Sequence, residues 1–221
     1  MHVMRMRHFI FDLDGTLTKP VYDFAVLRRQ LQSAVPARFG PGTDVLQELE
    51  SLSPQSQRRA SDVIDTFEEE GRGRWDWNDG ALELLRYLDE HKLRKAVVTR
   101  NSDVSLGILA EKMREAQLQP FEFALSRTFR PAKPSPAPAL HIVDKWQVPA
   151  AEVAFVGDGI HDMECSRGAG TVGVLVRNAG PLHHHSVRDA ELEARGLHCH
   201  AFDDLHHFRS FLEEEERRRG H

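Results

Sequence analysis

Phe9-Ile10-Phe11-Asp12-Leu13-Asp14-Gly15-Thr16 is the stretch from which the rest of the chain is read. An apolar run stops abruptly at two carboxylates one residue apart, with Gly and Thr behind them. Such a run predicts a buried strand whose charges emerge at its carboxyl end. On an ideal strand the two acids face opposite ways, because side chains alternate. The glycine lets the chain turn just past the strand and relieves that constraint. One carboxylate can then attack an electrophile while the other moves protons. The competing reading is a polar turn capping a strand, since Asp and Gly are ordinary turn residues.

Two more apolar runs end in the same way. Ala96-Val97-Val98 leads into Thr99-Arg100-Asn101, and Val153-Ala154-Phe155-Val156 leads into Gly157-Asp158-Gly159-Ile160-His161-Asp162. Between them, Lys133 lies in the proline-rich loop Pro131-Ala132-Lys133-Pro134-Ser135-Pro136. Taken alone it reads as a surface lysine. Ligands of open α/β sheets sit outside the carboxyl ends of the strands. Groups far apart in sequence are therefore expected to converge on one site.

These segments carry a resemblance. Asp-x-Asp-Gly-Thr at Asp12 to Thr16, the strand-end Thr99, Lys133, and Gly-Asp-x-x-x-Asp at Gly157 to Asp162 stand in the order found in haloacid dehalogenase-like (HAD-like) hydrolases. The chain resembles the phosphatase branch of that superfamily, phosphoglycolate phosphatase-like, with a small helical cap between the first and second motifs. Four motifs in order, each in strand-like context, displace the turn-only reading. The resemblance runs from the first strand to beyond Asp162.

It implies an α/β fold: a Rossmann-like three-layer sandwich with a parallel sheet, plus a helical cap. The expected core is residues 1–17 and 80–221, and the expected cap is 18–79. By the same resemblance Asp12 is the nucleophile that forms an aspartyl-phosphate. Asp14 protonates the leaving group and then deprotonates water. Mg²⁺ is the implied cofactor, held by Asp12, by the backbone carbonyl of Asp14 and by Asp158. Asp162 joins the metal's surroundings or holds Lys133. Thr99, Lys133 and the backbone around Arg100 and Asn101 are implied to bind the phosphoryl group, with Arg100 contacting substrate or pairing with Asp103 or Glu164. The cap, shorter than the four-helix caps of related branches, favours a small phosphorylated metabolite as partner.

The motif details separate reactions within the superfamily. Dehalogenases lack the second acid of the first motif, which here is Asp14. Phosphonate hydrolysis needs a cap lysine, and Lys19, next to the hinge, is the only lysine before Lys92. A Mg²⁺-dependent phosphatase is the expected activity. A sugar-phosphate mutase is the alternative, and a non-catalytic phosphometabolite-binding protein comes from a different class.

Composition agrees. The 221 residues are 40% hydrophobic, enough to bury a core and long enough for one domain with an insertion. With 29 basic and 34 acidic residues, a net charge of −5 gives no broad basic footprint for nucleic acid. Cys165 and Cys199 form no disulfide framework, so a reducing compartment is expected. No apolar stretch approaches the roughly 18 residues of a membrane span. The segment before the first strand leaves no room for a signal peptide. A cytoplasmic location is expected, with an organelle after transit-peptide removal as the alternative. No oligomeric state is readable.

The remaining pattern alternates strand and helix, which predicts a covered parallel sheet. In the insertion, Val21, Phe24, Ala25, Leu27, Leu31 and Val35 fit one helical face, as do Val45, Leu46 and Leu49 on a second. Residues 54–70 carry Ala60, Val63, Ile64 and Phe67 at helical spacing, behind a Ser53-Pro54 start. Residues 80–91 predict a core helix burying Leu82, Leu85 and Leu88. Later helices are expected over 104–117 and 137–146, with strands near 94–99, 121–125 and 171–176. The run Glu213 to Arg219 reads as a solvated helix end. His183-His184-His185 reads as an exposed loop rather than a metal tract, because three consecutive His cannot all face one ion. His161 is a candidate for the pocket rim, and Cys165 reads as packing. Trp75 and Trp77 read as an aromatic hinge, and Arg28, Arg29, Arg58, Arg59, Arg72 and Arg74 mostly as solvated charge.

Overall fold

A computed structural model of the chain describes residues 6–20, 23–178 and 187–219. His183 to His185 and Val21 lie outside the described residues. The first strand, β1, spans His8–Phe11, followed by helices α1 (Phe24–Ala34), α2 (Val45–Glu50), α3 (Pro54–Arg72) and α4 (Ala81–Glu90). Then come β2 (Arg94–Val98), α5 (Asp103–Glu115), β3 (Phe123–Leu125), α6 (Ala137–Trp146) and β4 (Val153–Gly157). The chain ends with α7 (Ile160–Ala169), β5 (Val172–Val176), α8 (Asp189–Ala194), β6 (His200–Phe202) and α9 (Leu205–Arg219).

The described strands form one six-stranded sheet in the order β3-β2-β1-β4-β5-β6, each neighbouring pair parallel. This is the α/β Rossmann-like arrangement the sequence predicts. β1 is central, pairing Phe11 with Val97 on one side and with Val156 on the other. That register brings the ends of three polar-terminated strands side by side. Strand alternation explains why Phe9, Ile10 and Phe11 are all buried. Ile10 packs with Ala139, Ile142 and Trp146 of α6 and with Cys165 and Ala169 of α7. Phe9 points to the other face and meets Phe208 of α9, ring centres 6.3 Å apart. Helices thus cover both faces.

Two expectations about elements change. In α4 the fully buried residues are Ala81, Leu84, Leu85 and Leu88, whereas Leu82 is only half-buried. Leu84 lies one turn before Leu88 and one residue from Leu85, so that stripe, rather than one through Leu82, faces the core. The sequence reading also has no strand after β5, yet β6 pairs with it, Val174 opposite His200. Three residues with no apolar run leave no periodicity to detect. Backbone bonds carry this edge strand.

The chain divides into two compact units, one running through Lys19 and resuming at Asp76, the other Pro20–Trp75. The second unit is built from α1 to α3 around Leu27, Leu31, Val35, Phe39, Ala60, Ile64 and Phe67. Asp23, Asp44 and Ser53 each cap their helix by accepting backbone N–H bonds, and Pro54 sits in the first turn of α3. Phe24 and Ala25, expected on the buried face, are exposed. The cap at Asp23 sets the start of α1 so that its stripe begins at Leu27. Phe39, in the loop before α2, is fully buried with φ of 59°. Arg28 secures that loop, donating to the carbonyls of Gly40 (2.8 Å) and Thr43 (2.9 Å).

In the first unit, the segments flanking the insertion pair with each other. Lys19 N–H donates to the Asp76 carbonyl at 3.0 Å, and Asn78 N–H to the Leu17 carbonyl at 2.9 Å. Thr18 and Trp77 form an antiparallel bridge.

Candidate active site

The site begins where β1 ends. Asp12 is still in the sheet, its N–H donating to the Val156 carbonyl at 2.8 Å. The chain then turns: Gly15, with φ of 82°, donates its N–H to the Thr18 carbonyl at 2.9 Å. A β-carbon at Gly15 would collide with the Asp158 carboxylate, so this glycine is required both by its backbone and by close approach. Gly157 plays a similar part at the end of β4, where a β-carbon would run into the side chain of Asp162.

Around Asp12 the groups are buried and charged. Lys133 is 4% exposed, and its Nζ donates to Asp12 Oδ1 at 2.5 Å and to Asp162 Oδ1 at 2.6 Å. Asp162 Oδ2 also accepts from the Gly159 N–H at 3.0 Å, which ties it to the start of α7. Asp158 Oδ1 accepts from the Thr16 hydroxyl at 3.2 Å. One carboxylate oxygen each from Asp12, Asp158 and Asp162 lies within 4.8 Å of the others.

Burial pushes the Asp12 carboxyl up to about 7, helped by Asp162 and Asp14 and resisted by Lys133. Burial, then Asp12 and Asp162, raise Asp158 well above the usual carboxylate range. Burial alone would lower Lys133, but Asp12 and Asp162 outweigh it and hold its ammonium above the ordinary lysine value. This pocket therefore strains against its own negative charge. Three converging carboxylates of hard oxygen donors suit a divalent cation such as Mg²⁺.

Asp14 faces different company. Its Oδ2 accepts from the Asn101 side-chain amide at 3.1 Å and from the Thr99 hydroxyl at 3.4 Å. Its carboxylate stands outside the Asp12–Asp158–Asp162 cluster. The Thr99 hydroxyl also accepts from the Asn101 N–H at 3.0 Å. Arg100 lies against the His161 ring nitrogen Nδ1, joining the residue after Thr99 to the first turn of α7, just past Asp158. Glu164, one of the acids considered for Arg100, pairs with Arg195 at 2.7 Å. Cys165 is buried beneath this end of the sheet, and burial pushes its thiol up to about 12, in keeping with a packing role.

Two asparagines that the sequence reading did not single out hold the turn. Asn78 donates its amide to the carbonyls of Gly15 (3.1 Å) and Thr16 (3.0 Å). Asn178, just after β5, donates to the same Gly15 carbonyl at 2.6 Å. Both are buried polar groups, but in sequence each is only an Asn outside the motifs. Their shared partner appears only in three dimensions.

The chain matches the haloacid dehalogenase-like hydrolase family over residues 6–170. It belongs to that family. It is 35% identical over 182 residues to a haloacid dehalogenase-like hydrolase domain-containing protein of Arabidopsis thaliana, covering 80% of this chain and 73% of that one. A second relative, the N-acetylmuramic acid 6-phosphate phosphatase of Pseudomonas aeruginosa, is 25% identical over 199 residues, covering 80% and 84%. The fold is similar to the crystal structure of a hydrolase from Pseudomonas syringae. That match has a TM-score of 0.73 and 23% identity, covering 95% of this chain and 99% of that one. Among the described residues, no helix is long and apolar enough to cross a membrane.

Proposed function

We propose that this protein is a Mg²⁺-dependent phosphatase that hydrolyses the phosphomonoester of a small metabolite through an aspartyl-phosphate. The observation that carries the reading is the separation of two like acids. Asp12 is buried against Lys133 and two further carboxylates, while Asp14 is turned to Thr99 and Asn101. One environment suits a nucleophile, the other a proton carrier. A phosphatase among the relatives supports the same chemistry.

In the first step Asp12 attacks phosphorus. The ester P–O bond breaks, its electron pair leaves with the ester oxygen, and Asp14 gives that oxygen its proton. In the second step water attacks phosphorus and passes a proton to Asp14, and the bond to Asp12 breaks, restoring both acids. Thr99, Lys133 and the Arg100–Asn101 segment surround the phosphoryl oxygens. Lys133 also fixes the Asp12 carboxylate and offsets charge that the transition state rearranges. Asp12, Asp158, Asp162 and the Asp14 backbone carbonyl would hold Mg²⁺, which when bound would supply the positive charge that lets an anionic nucleophile meet a phosphate dianion.

The test is phosphate release from a panel of phosphorylated sugars, acids and nucleotides, with Mg²⁺ and with EDTA, beside Asp12→Asn. Metal-dependent turnover lost in the variant is the expected result. Failure of the folded, metal-supplied protein to release phosphate from any ester would reject it.

A further inference from the structure

We infer that the Asn101 side chain is a positioning residue for Asp14: its amide holds the proton-carrying carboxyl in place rather than binding the phosphoryl group. This rests on the phosphatase reading above. The argument starts with the direction of the amide. Asn101 Oδ1 accepts from the Ser102 N–H at 2.8 Å, so the oxygen is committed to the start of α5. The nitrogen must then face Asp14, where it donates to Oδ2 at 3.1 Å. The opposite orientation would put an amide oxygen against a carboxylate and an NH₂ against a backbone N–H.

The residue is also held on both sides. Its N–H donates to Thr99 Oγ1 at 3.0 Å, its carbonyl accepts from the Arg127 N–H at 2.9 Å, and the residue is buried. The backbone at both sides of its β-carbon is thus pinned. Thr99 also donates to Asp14, at the longer 3.4 Å, and its hydroxyl is the one proposed to serve the phosphoryl group. Of these two, Asn101 is the closer donor, and its amide nitrogen is aimed at Asp14.

The consequence follows from the leaving group. When the ester P–O bond breaks, its electron pair must be accepted. An alkoxide needs the proton of Asp14 in the same step, whereas a nitrophenolate is stable without it. Loss of an oriented acid therefore penalises alkyl esters selectively, and general acid catalysis of this kind is worth about 10²–10⁴-fold.

The experiment compares kcat/KM for an alkyl phosphate accepted by the wild type with that for p-nitrophenyl phosphate, in wild type, Asn101→Ala and Asn101→Asp. The Asp variant is isosteric and keeps the acceptor for Ser102, but removes the donor to Asp14. Thermal unfolding with Mg²⁺ confirms that at least one variant is folded. The expected result is a loss of about 10- to 100-fold on the alkyl ester and less than about threefold on the aryl ester in the folded variant. An equal loss on both esters, carried in KM, would assign Asn101 to phosphate binding and overturn the proposal. Unchanged kinetics on both would overturn it too. In either case wild-type turnover leaves the phosphatase reading standing; absence of wild-type turnover is the separate failure of that reading.

Discussion

Asp12 and Asp14 are the same residue type one position apart, yet the fold gives them opposite surroundings. Around Asp12 the strand is still in register, the pocket is buried, and the neighbours are Lys133, Asp158 and Asp162. Around Asp14 the chain has already turned, and its carboxylate accepts from two neutral donors just past the end of β2, Thr99 and Asn101. Charge is concentrated on one side and orientation on the other. Two acids can divide a reaction between them only if their environments differ this much.

The sharpest way to break the comparison is to remove each acid in turn. Asp12→Asn is expected to lower phosphate release from any ester by about 10⁴-fold or more, since no covalent intermediate forms. Asp14→Asn should leave p-nitrophenyl phosphate far less affected than alkyl esters in kcat/KM. Equal losses across esters for both variants would erase the distinction between the two sides.

Lys133→Met tests the charged side by stability. It leaves Asp12 and Asp162 facing each other in a buried pocket without their shared cation. Breaking a buried pair in this way costs about 3–5 kcal/mol, read by denaturant unfolding of the metal-free protein. A loss under about 1 kcal/mol, the range of exposed pairs, would show that the pocket relaxes or takes up protons instead.

The pH dependence of the metal-free protein sharpens the same point. Asp12 is raised from 3.8 to about 7, and Asp158 is raised as well. Between the unfolded and folded values the folded state holds more protons than the unfolded state. Stability contributed by these groups therefore falls as pH rises from about 4 to about 7. In EDTA, the melting temperature should decline over that window relative to a sample with saturating Mg²⁺, and the metal should stabilise most at the upper end. Parallel curves in EDTA and Mg²⁺ would argue against a cation at these carboxylates.

The smallest effect is expected at Asn178. Asn178→Ala removes one of two amide donors to the Gly15 carbonyl, and Asn78 still satisfies it. A cost of about 1 kcal/mol is expected, visible as a small drop in melting temperature with kcat/KM for different esters changed in equal proportion. A selective loss on alkyl esters would mean that the turn, and not only Asn101, orients Asp14.

Much of this was legible in one dimension because strands buried on both faces write themselves as continuous apolar runs. Such runs end where the polar residues of Asp12 to Thr16, Thr99 and Gly157 to Asp162 begin. The parallel sheet and the convergence of those ends follow from that pattern, and the family from the resemblance of the motifs there and at Lys133. The fine burial did not. Leu84 rather than Leu82, and the exposure of Phe24, depend on where a helix cap starts the turn, which shifts a stripe without changing its period. β6 has no apolar signature because it is a three-residue edge.

What the sequence by itself determined is the set of groups proposed to react and the strands that carry them, because strand burial and motif spacing are local properties of the chain. What only the tertiary structure decided is how those groups divide the site. Lys133 bridges Asp12 and Asp162, Asn101 turns its amide on Asp14, and Asn78 and Asn178 meet on one carbonyl. Each is a hydrogen bond whose partner is chosen by the direction of a side chain in space, and residue order does not encode direction.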